Sequence, residues 1–453
     1  MKIHFIAVGG AVMHNMAIAL HQKGYEISGS DDEIFEPSRS RLRKYGILPE
    51  RQGWDPKKIT SDLDGVILGM HARKDNPELL KAQELGIKIW SFPEYIYEHS
   101  KDKIRVVIGG SHGKTTITSM VMHVLRFNNY NFDYMVGSQL EGFETMVKLT
   151  EDATIIVLEG DEYLSSPLDS RPKFHLYRPH IALLTGIEWD HMNVFPTFEN
   201  YLKQFKDFTY CIDPGGKLFW FDGDPNLKNL TENLDIENES YTAHPYVPEG
   251  NSTYLDTGGK QVRVPFFGKH NMQNISGALH ICMELGLPNE QFYEAISTFK
   301  GAARRQQLLA EGNGRRVYLD FAHAPSKVRA TVKGFRETFP KHHIIACLEL
   351  HTFSSLSKNF LPQYKGTMDP ANKAIVFFNP EVVAHKKLPV IETDDVIRGF
   401  KNEQLIAIND SYELKELLLA STEGESIVLL MTSGSFSGMD MKAFAQEIVS
   451  SEQ

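Results

Sequence analysis

The stretch at residues 104–120, IRVVIGGSHGKTTITSM, constrains the fold more than any other part of the sequence. Ile104 to Ile108 read as a buried strand, Gly109, Gly110 and Gly113 as a tight turn, and Lys114 onward as a helix reaching about Phe127. A strand feeding a glycine turn and then a helix start is how a polypeptide wraps an anion. Backbone N–H groups at the helix start point outward and the helix dipole favours negative charge. Lys114 can reach the β- and γ-phosphates of a nucleotide, and the Thr115 hydroxyl can ligate Mg2+. The usual eight-residue loop places glycine at position 108; Ile108 stands there, so the loop is a shortened variant. The bland alternative is a glycine turn followed by a helix-capping threonine.

On either side, strands and helices alternate in parallel α/β order. Residues 2–9 form a strand running through Gly9-Gly10 into a helix from about Val12, then a strand from Tyr25 to Ser28. His99 to Lys103 reads as a charged linker. After the phosphate loop, strands are predicted at Ala153–Leu158, Ile181–Thr185 and Lys217–Phe221, then a meander over 235–265 and a helix from Asn271. A further doubly wound pattern follows Arg305, with strands at Arg316–Asp320, His343–Leu350, Lys373–Phe378 and Ser426–Met431. The expectation is three α/β domains: a Rossmann-like domain over 1–102, a central P-loop-type parallel-sheet domain over 103–301 and a Rossmann-like domain over 302–453. A length of 453 residues suits that number at roughly 150 residues per domain.

Composition excludes several classes. The net charge, 48 basic minus 58 acidic residues, is -10, which argues against a general nucleic-acid binder. Cys211, Cys282 and Cys347 are too few and too scattered for a disulfide framework or a zinc cluster, and fit a reducing cytoplasm. No apolar run approaches the roughly 20 residues of a membrane span. The expected partners are small molecules, with no nucleic acid and no membrane.

Two acidic strand ends follow the phosphate loop. In TIIVLEGDEY, Glu159, Asp161 and Glu162 emerge at the carboxyl edge of the sheet, where a second metal contact is needed, and Glu159 is the candidate ligand. A solvated acidic turn is the alternative. In LLTGIEWDHMNVF, Glu188, Asp190 and His191 repeat the arrangement, and an imidazole beside a carboxylate can ligate a divalent ion or orient a substrate.

These pieces, in this order, resemble the Mur ligase family of ATP-dependent amide-forming enzymes, and the resemblance runs over nearly the whole chain. The family's Gly-Thr-x-Gly-Lys-Thr loop stands here as Gly110-Ser111-His112-Gly113-Lys114-Thr115-Thr116. The resemblance implies ATP and Mg2+ as cofactors, with magnesium on Glu159 and His191 beside Thr115. Residues 268–274, GKHNMQN, are similar to a family segment whose asparagines, here Asn271 and Asn274, reach toward adenine. Arg304-Arg305 resembles the arginine that contacts the γ-phosphate, assigned to Arg305, and Asp320 in DFAHAP matches a residue that contacts the ribose. Helix-start roles for the asparagines and a solvated arginine pair are the alternatives. The family's first domain holds a uridine diphosphate sugar, which implies roles for Gly9, Gly10, Ala11, Ser30 and Asp31, although Val12 and His14 replace smaller residues there. A plain β-α turn is the alternative.

Within the family, residues 170–180, SRPKFHLYRPH, look most like the branch that joins UDP-N-acetylmuramate to the tripeptide L-alanyl-γ-D-glutamyl-meso-diaminopimelate in peptidoglycan recycling; the branch that adds L-alanine in de novo synthesis is the alternative. Leu350 to Ser354 lacks the arginine both branches carry, and Lys203 lies only near the position of a lysine that some members carbamylate. The implied reaction activates a carboxylate as an acyl phosphate, which an amine then attacks. Lys114, His191 and Arg305 are the catalytic candidates, acting by positioning and charge neutralisation. Two rivals are a nucleotide switch, which turns over ATP without an amine, and a dehydrogenase using the N-terminal turn, which leaves Gly113-Lys114-Thr115 unexplained.

Overall fold

The computed structural model describes residues 1–189, 194–249, 252–301 and 304–451. The chain divides into two compact units, one of residues 1–189, 196–242 and 274–296, the other of 190–195, 243–273 and 297–453.

The first unit carries two parallel sheets. One has the order Glu26–Ser30, Lys2–Ile6, Gly65–Leu68, Ile89–Ser91. The larger has the order Glu237–Tyr241, Lys217–Phe221, Ile181–Leu184, Ile104–Gly109, Ile155–Glu159, Phe132–Met135, Val147–Lys148, parallel except for its last pair. Its middle strand pairs Val106 with Ile181 on one side and Ile104 with Ile155 on the other. Neighbours on both edges and helices on both faces leave Val106, Val107 and Ile108 without solvent exposure, which is why the strand reads as a continuous apolar run. Burying each such side chain contributes roughly 1.5–3 kcal/mol. The phosphate loop therefore leaves the sheet from the buried end of its middle strand.

The second unit has a three-stranded antiparallel sheet, Tyr246–Glu249, Ser252–Asp256 and Gln261–Val264. It also has a six-stranded sheet in the order Gln307–Gly312, Arg315–Asp320, Ser426–Met431, His343–Leu350, Lys373–Phe378, Ile406–Ile408. All pairs of this larger sheet are parallel except the first, where a bulge lies between Leu308 and Ala310.

The doubly wound sheets and the phosphate-loop helix, Lys114–Phe127, match the sequence reading. One segment is corrected. His99 ends a helix instead of opening a linker, and Lys103 is buried, donating from Nζ to Asp133 Oδ2 at 2.6 Å and to the Thr150 carbonyl. Of the meander, Glu237–Tyr241 joins the parallel sheet beside Lys217–Phe221. Among the described residues no helix is long and apolar enough to cross a membrane.

Candidate active site

The loop between Gly109 and Lys114 is shaped by two left-handed glycines. Gly110 has φ +118°, and a Cβ there would stand 2.1 Å from Thr185 Oγ1; Gly113 has φ +79° and caps the helix Lys114–Phe127. Gly113 has no side chain to spend on the first-turn N–H groups, so these remain available to an anion. The neighbouring strand end braces the turn: Ser111 N donates to the Gly186 carbonyl (2.9 Å), Ser111 Oγ donates to the Glu188 carbonyl (2.7 Å), and the Thr185 hydroxyl donates to the His112 carbonyl. His112 Nε2 lies 3.1 Å from Glu188 Oε2.

Lys114 folds back over the loop. Its Nζ donates to the Gly110 carbonyl at 2.5 Å and to Glu162 Oε2 at 2.7 Å. Glu162, 1% exposed, also accepts from Tyr201 Oη at 3.0 Å. Burial works against the Lys114 charge, but Glu162, then Asp161 and Glu159, outweigh it and hold the ammonium above its ordinary pKa. One helical residue on, Thr115 Oγ1 donates to Glu159 Oε1 at 2.8 Å, and Glu159 Oε2 accepts from Gly137 N at 2.7 Å. Thr116 is buried in the same first turn.

A side chain from the helix Lys269–Glu284 completes this cradle. Asn274 is 1% exposed, neither its oxygen nor its nitrogen has a hydrogen-bond partner among the described residues, and Oδ1 sits 2.4 Å from where a Gly113 Cβ would be. A buried amide without partners is costly, and such a group beside a nucleotide loop fits a missing ligand. Thr115 and Glu159 supply hard oxygen donors of the kind that suits Mg2+, which takes few protein ligands and keeps waters and phosphate oxygens. Among the described residues no three His, Cys, Asp or Glu side chains form a metal cage. His191 and Asp190 lie outside the described residues.

The first sheet holds the residues expected at the sugar nucleotide. Gly10 caps the helix Ala11–Gln22 without a side chain. Asp31 is turned inward: its Oδ2 accepts from Gly9 N at 2.7 Å, and a Cβ on Gly9 would stand 2.9 Å from it. Burial, reinforced by Asp32, pushes the Asp31 pKa up to about 7. Ser30 Oγ accepts from Lys58 Nζ at 2.9 Å. His14 is 2% exposed, with Nδ1 2.8 Å from the Gly10 carbonyl and Nε2 2.9 Å from Asn15 Nδ2. The Asn15 amide nitrogen can only donate, so Nε2 accepts and Nδ1 carries the proton.

The remaining expected residues belong to the second unit. Asn271 Nδ2 donates to the Phe267 carbonyl and to Gln306 Oε1, both at 2.8 Å, so its amide nitrogen is occupied, unlike that of Asn274. Asp320 is buried, accepting from Gln306 N and Ala322 N at 2.8 Å; burial raises its pKa and the Arg305 charge opposes that. The Arg305 guanidinium lies 4.8 Å from the Phe321 ring centre. Arg304, the other half of the pair that resembles the family's arginine, donates to the Gly434 and Thr432 carbonyls. In the first unit, Lys203 makes an exposed ion pair with Asp207 one helical turn away. Sequence reasoning did not find the Glu162–Lys114 pair or Tyr201; the acidic strand end signalled the first, and nothing local signalled the second.

The chain matches the model of the Mur ligase family catalytic domain over residues 2–103, of the Mur ligase middle domain over 108–282, and of the Mur ligase glutamate ligase domain over 304–434. It is 31% identical over 371 residues to UDP-N-acetylmuramate--L-alanine ligase of Syntrophomonas wolfei, covering 78% of this chain and 77% of that one. The chain belongs to the Mur ligase family. It has the three-domain Mur ligase architecture, in which N- and C-terminal Rossmann-like domains flank a central nucleotide-binding sheet domain, and it is a ligase. It is also similar to UDP-N-acetylmuramate--L-alanyl-gamma-D-glutamyl-meso-2,6-diaminoheptandioate ligase of Escherichia coli, 29% identical over 77% of this chain and 79% of that one. Among solved structures, UDP-N-acetylmuramate-alanine ligase of Thermotoga maritima has the same fold, with TM-score 0.70, 22% identity and coverage of 99% and 98% of the two chains.

Proposed function

We propose that this Mur ligase uses ATP to activate the carboxylate of UDP-N-acetylmuramate and couples it to the amino group of L-alanine. The carboxylate oxygen attacks the γ-phosphorus, ADP leaves, and the resulting acyl phosphate is attacked by the amine, which releases phosphate and forms the amide. The observation that carries this reading is the orphaned Asn274 amide in the cradle with Lys114, against a helix start with open N–H groups.

In this reading Gly110 to Thr116 hold the β- and γ-phosphates, and Lys114 transfers its charge from Glu162 to the transferring oxygens. The family resemblance implies purine contacts for Asn274 and Asn271, a ribose contact for Asp320 and a γ-phosphate contact for Arg305. Thr115 and Glu159, with His191 as the third candidate, would hold Mg2+, which supplies charge neutralisation to the polyphosphate. Gly9, Gly10 and Ala11 face the pyrophosphate of the sugar nucleotide, while Ser30 and Asp31 act from behind by fixing the turn. The substrates are small molecules, and the demand for ATP assigns the reaction to the cytoplasm.

L-alanine is preferred as the amine because the 31% identical relative is an L-alanine ligase. The tripeptide is the second reading, favoured by the 29% identical relative and by residues 170–180. Phosphate release with UDP-N-acetylmuramate and ATP, comparing the two amines, tests both. Release indifferent to any amine overturns the ligase reading, and full activity in Lys114→Ala overturns the phosphate-loop assignment.

A further inference from the structure

The segment 170–180, SRPKFHLYRPH, leads into the strand Ile181–Leu184 of the first unit and places Arg178 on the wall of a cavity of about 660 Å3. Other walls are Lys88 and Trp90 at the strand Ile89–Ser91, Tyr97 of the helix Phe92–His99, and Tyr210 after the helix Phe198–Thr209. A volume in the range of roughly 300–1,000 Å3 suits a small molecule. His180 N donates to the Arg105 carbonyl and Lys217 N to the His180 carbonyl, so the strands Ile104–Gly109, Ile181–Leu184 and Lys217–Phe221 all begin at this end of the sheet. The phosphate loop leaves the opposite end, a six-residue strand or roughly 20 Å away. None of the wall residues belongs to that loop or to the turn at Gly9-Gly10.

Two cations of the wall have no carboxylate partner among the described residues. Lys88 Nζ rests 4.7 Å from the centre of the Trp90 ring, and the Arg178 guanidinium 5.4 Å from that of Tyr97. An aromatic face compensates a cation only in part. The acids of the wall are committed elsewhere: Glu98 to Lys101 at 2.8 Å, Asp213 to Arg105, and Glu94 to Ser91 N at 2.7 Å in a helix cap. Arg171, the third cation, is held by Asp169 at 2.6 Å. Burial raises the pKa of Cys211, which lines the same space, and Arg178 is the next influence and opposes it, so the guanidinium's field reaches the cavity.

Backbone strain singles out the same arginine. Arg178 has φ +43°, a left-handed conformation that residues with a Cβ avoid. Its carbonyl accepts from Arg105 Nε at 2.8 Å, a role of the main chain that glycine would fill without strain. The side chain is therefore retained against strain for what its guanidinium does. Trp90 packs where Gly65 lacks a Cβ, which would stand 2.1 Å from Cζ3, and its buried Nε1–H has no hydrogen-bond partner. Tyr210 is 71% exposed, a large ring left in water beside these donors.

We propose that this cavity is a second ligand site, for a nucleoside phosphate, with the phosphate held by Lys88 and Arg178 and the base on Tyr210. A guanidinium fork and an ammonium match a phosphate monoester, and an exposed aromatic ring offers the face on which any base stacks. The indole N–H is a donor for a sugar or base oxygen. The site is remote from the phosphate loop, and the inference does not depend on the ligase reading.

The test is calorimetric titration of the full-length protein, saturated with UDP-N-acetylmuramate and a non-hydrolysable ATP analogue. The probes are UMP, AMP, uridine and ribose 5-phosphate. UMP or AMP is expected to bind with one-to-one stoichiometry, about tenfold or more tighter than uridine or ribose 5-phosphate. Lys88→Gln, Arg178→Gly and Tyr210→Ala should each weaken that binding roughly tenfold. Arg178→Gly should melt at or above the wild-type temperature, because its left-handed strain is relieved. Binding should quench tryptophan fluorescence in wild type and lose that quenching in Trp90→Phe. Absence of nucleotide binding at millimolar concentration, or affinity unchanged in Lys88→Gln and Arg178→Gly, overturns the site. Ribose 5-phosphate binding as tightly as the nucleotides overturns the ligand class. A lower melting temperature in Arg178→Gly with unchanged affinity makes the arginine a structural brace and also overturns the site. In protein that binds neither saturating ligand the ligase reading fails, and the same variants still report whether UMP or AMP occupies the cavity.

Discussion

Replacing Gly113 by alanine tests the phosphate loop at its tightest point. The residue sits at φ +79°, where an L side chain costs roughly 1–2 kcal/mol. The new Cβ would also stand 2.4 Å from Asn274 Oδ1, and that buried amide can move only by leaving its rotamer, at about 0.5–1.5 kcal/mol. The loop escapes the combined strain of about 1.5–3.5 kcal/mol by abandoning the left-handed turn, so the population able to bind nucleotide falls. At about 1.4 kcal/mol per tenfold, ATP affinity should drop roughly 10- to 300-fold. Isothermal titration with ATP and Mg2+ measures this directly. In an Asn274→Ala background the steric part disappears and only the backbone part remains, about 5- to 30-fold. ATP binding within about threefold of wild type in Gly113→Ala, or an equal loss in both backgrounds, refutes the reasoning.

Three further outcomes follow from buried charges. Glu162→Gln removes the partner of a buried ammonium, a loss of about 3–5 kcal/mol in nucleotide-free protein; the melting temperature should fall without ATP and recover disproportionately with it, and equal shifts in both states would sink the idea. Lys103→Met takes the ammonium from the fully buried Asp133, leaving it Thr150 and His99, and should lower the urea midpoint, with Lys103→Met/Asp133→Asn recovering much of the loss. Asp31 has a folded pKa of about 7, above the unfolded value of about 3.9, so its stabilising contribution is complete below that lower value and declines as pH rises to 7. Asp31→Asn should therefore flatten the fall in thermal stability between about pH 4 and pH 7, and melting curves of both proteins across that range decide it.

Local patterning made the central features legible. The run Ile104 to Ile108 read as a buried strand, as Val106 to Ile108 are, and the glycines at 110 and 113 are where the backbone turns left-handed. Asn274 was visible as a residue type in a spaced motif, while its lack of partners emerges only once the helix from Lys269 lies on the loop. Lys103 was misread because a lysine among charged neighbours looks solvated, and its partner Asp133 lies 30 residues away on an unpredicted strand. Asp31 was expected at the ligand because it follows a strand; its bond to Gly9 spans 22 residues and has no local signature. Short edge strands such as Ile406–Ile408 and Val147–Lys148 carry too few residues to show a period.

The resting partnership of Lys114 with Glu162 has a bearing on selectivity. The carboxylate already gives the lysine one full negative charge at 2.7 Å, so a lone inorganic phosphate or sulfate has little to offer that the protein lacks. Displacing that internal counter-ion takes a chain of linked oxyanions that engages the helix start and the lysine together. In the proposed function the loop is therefore a lock set against small anions, which a polyphosphate tail would open.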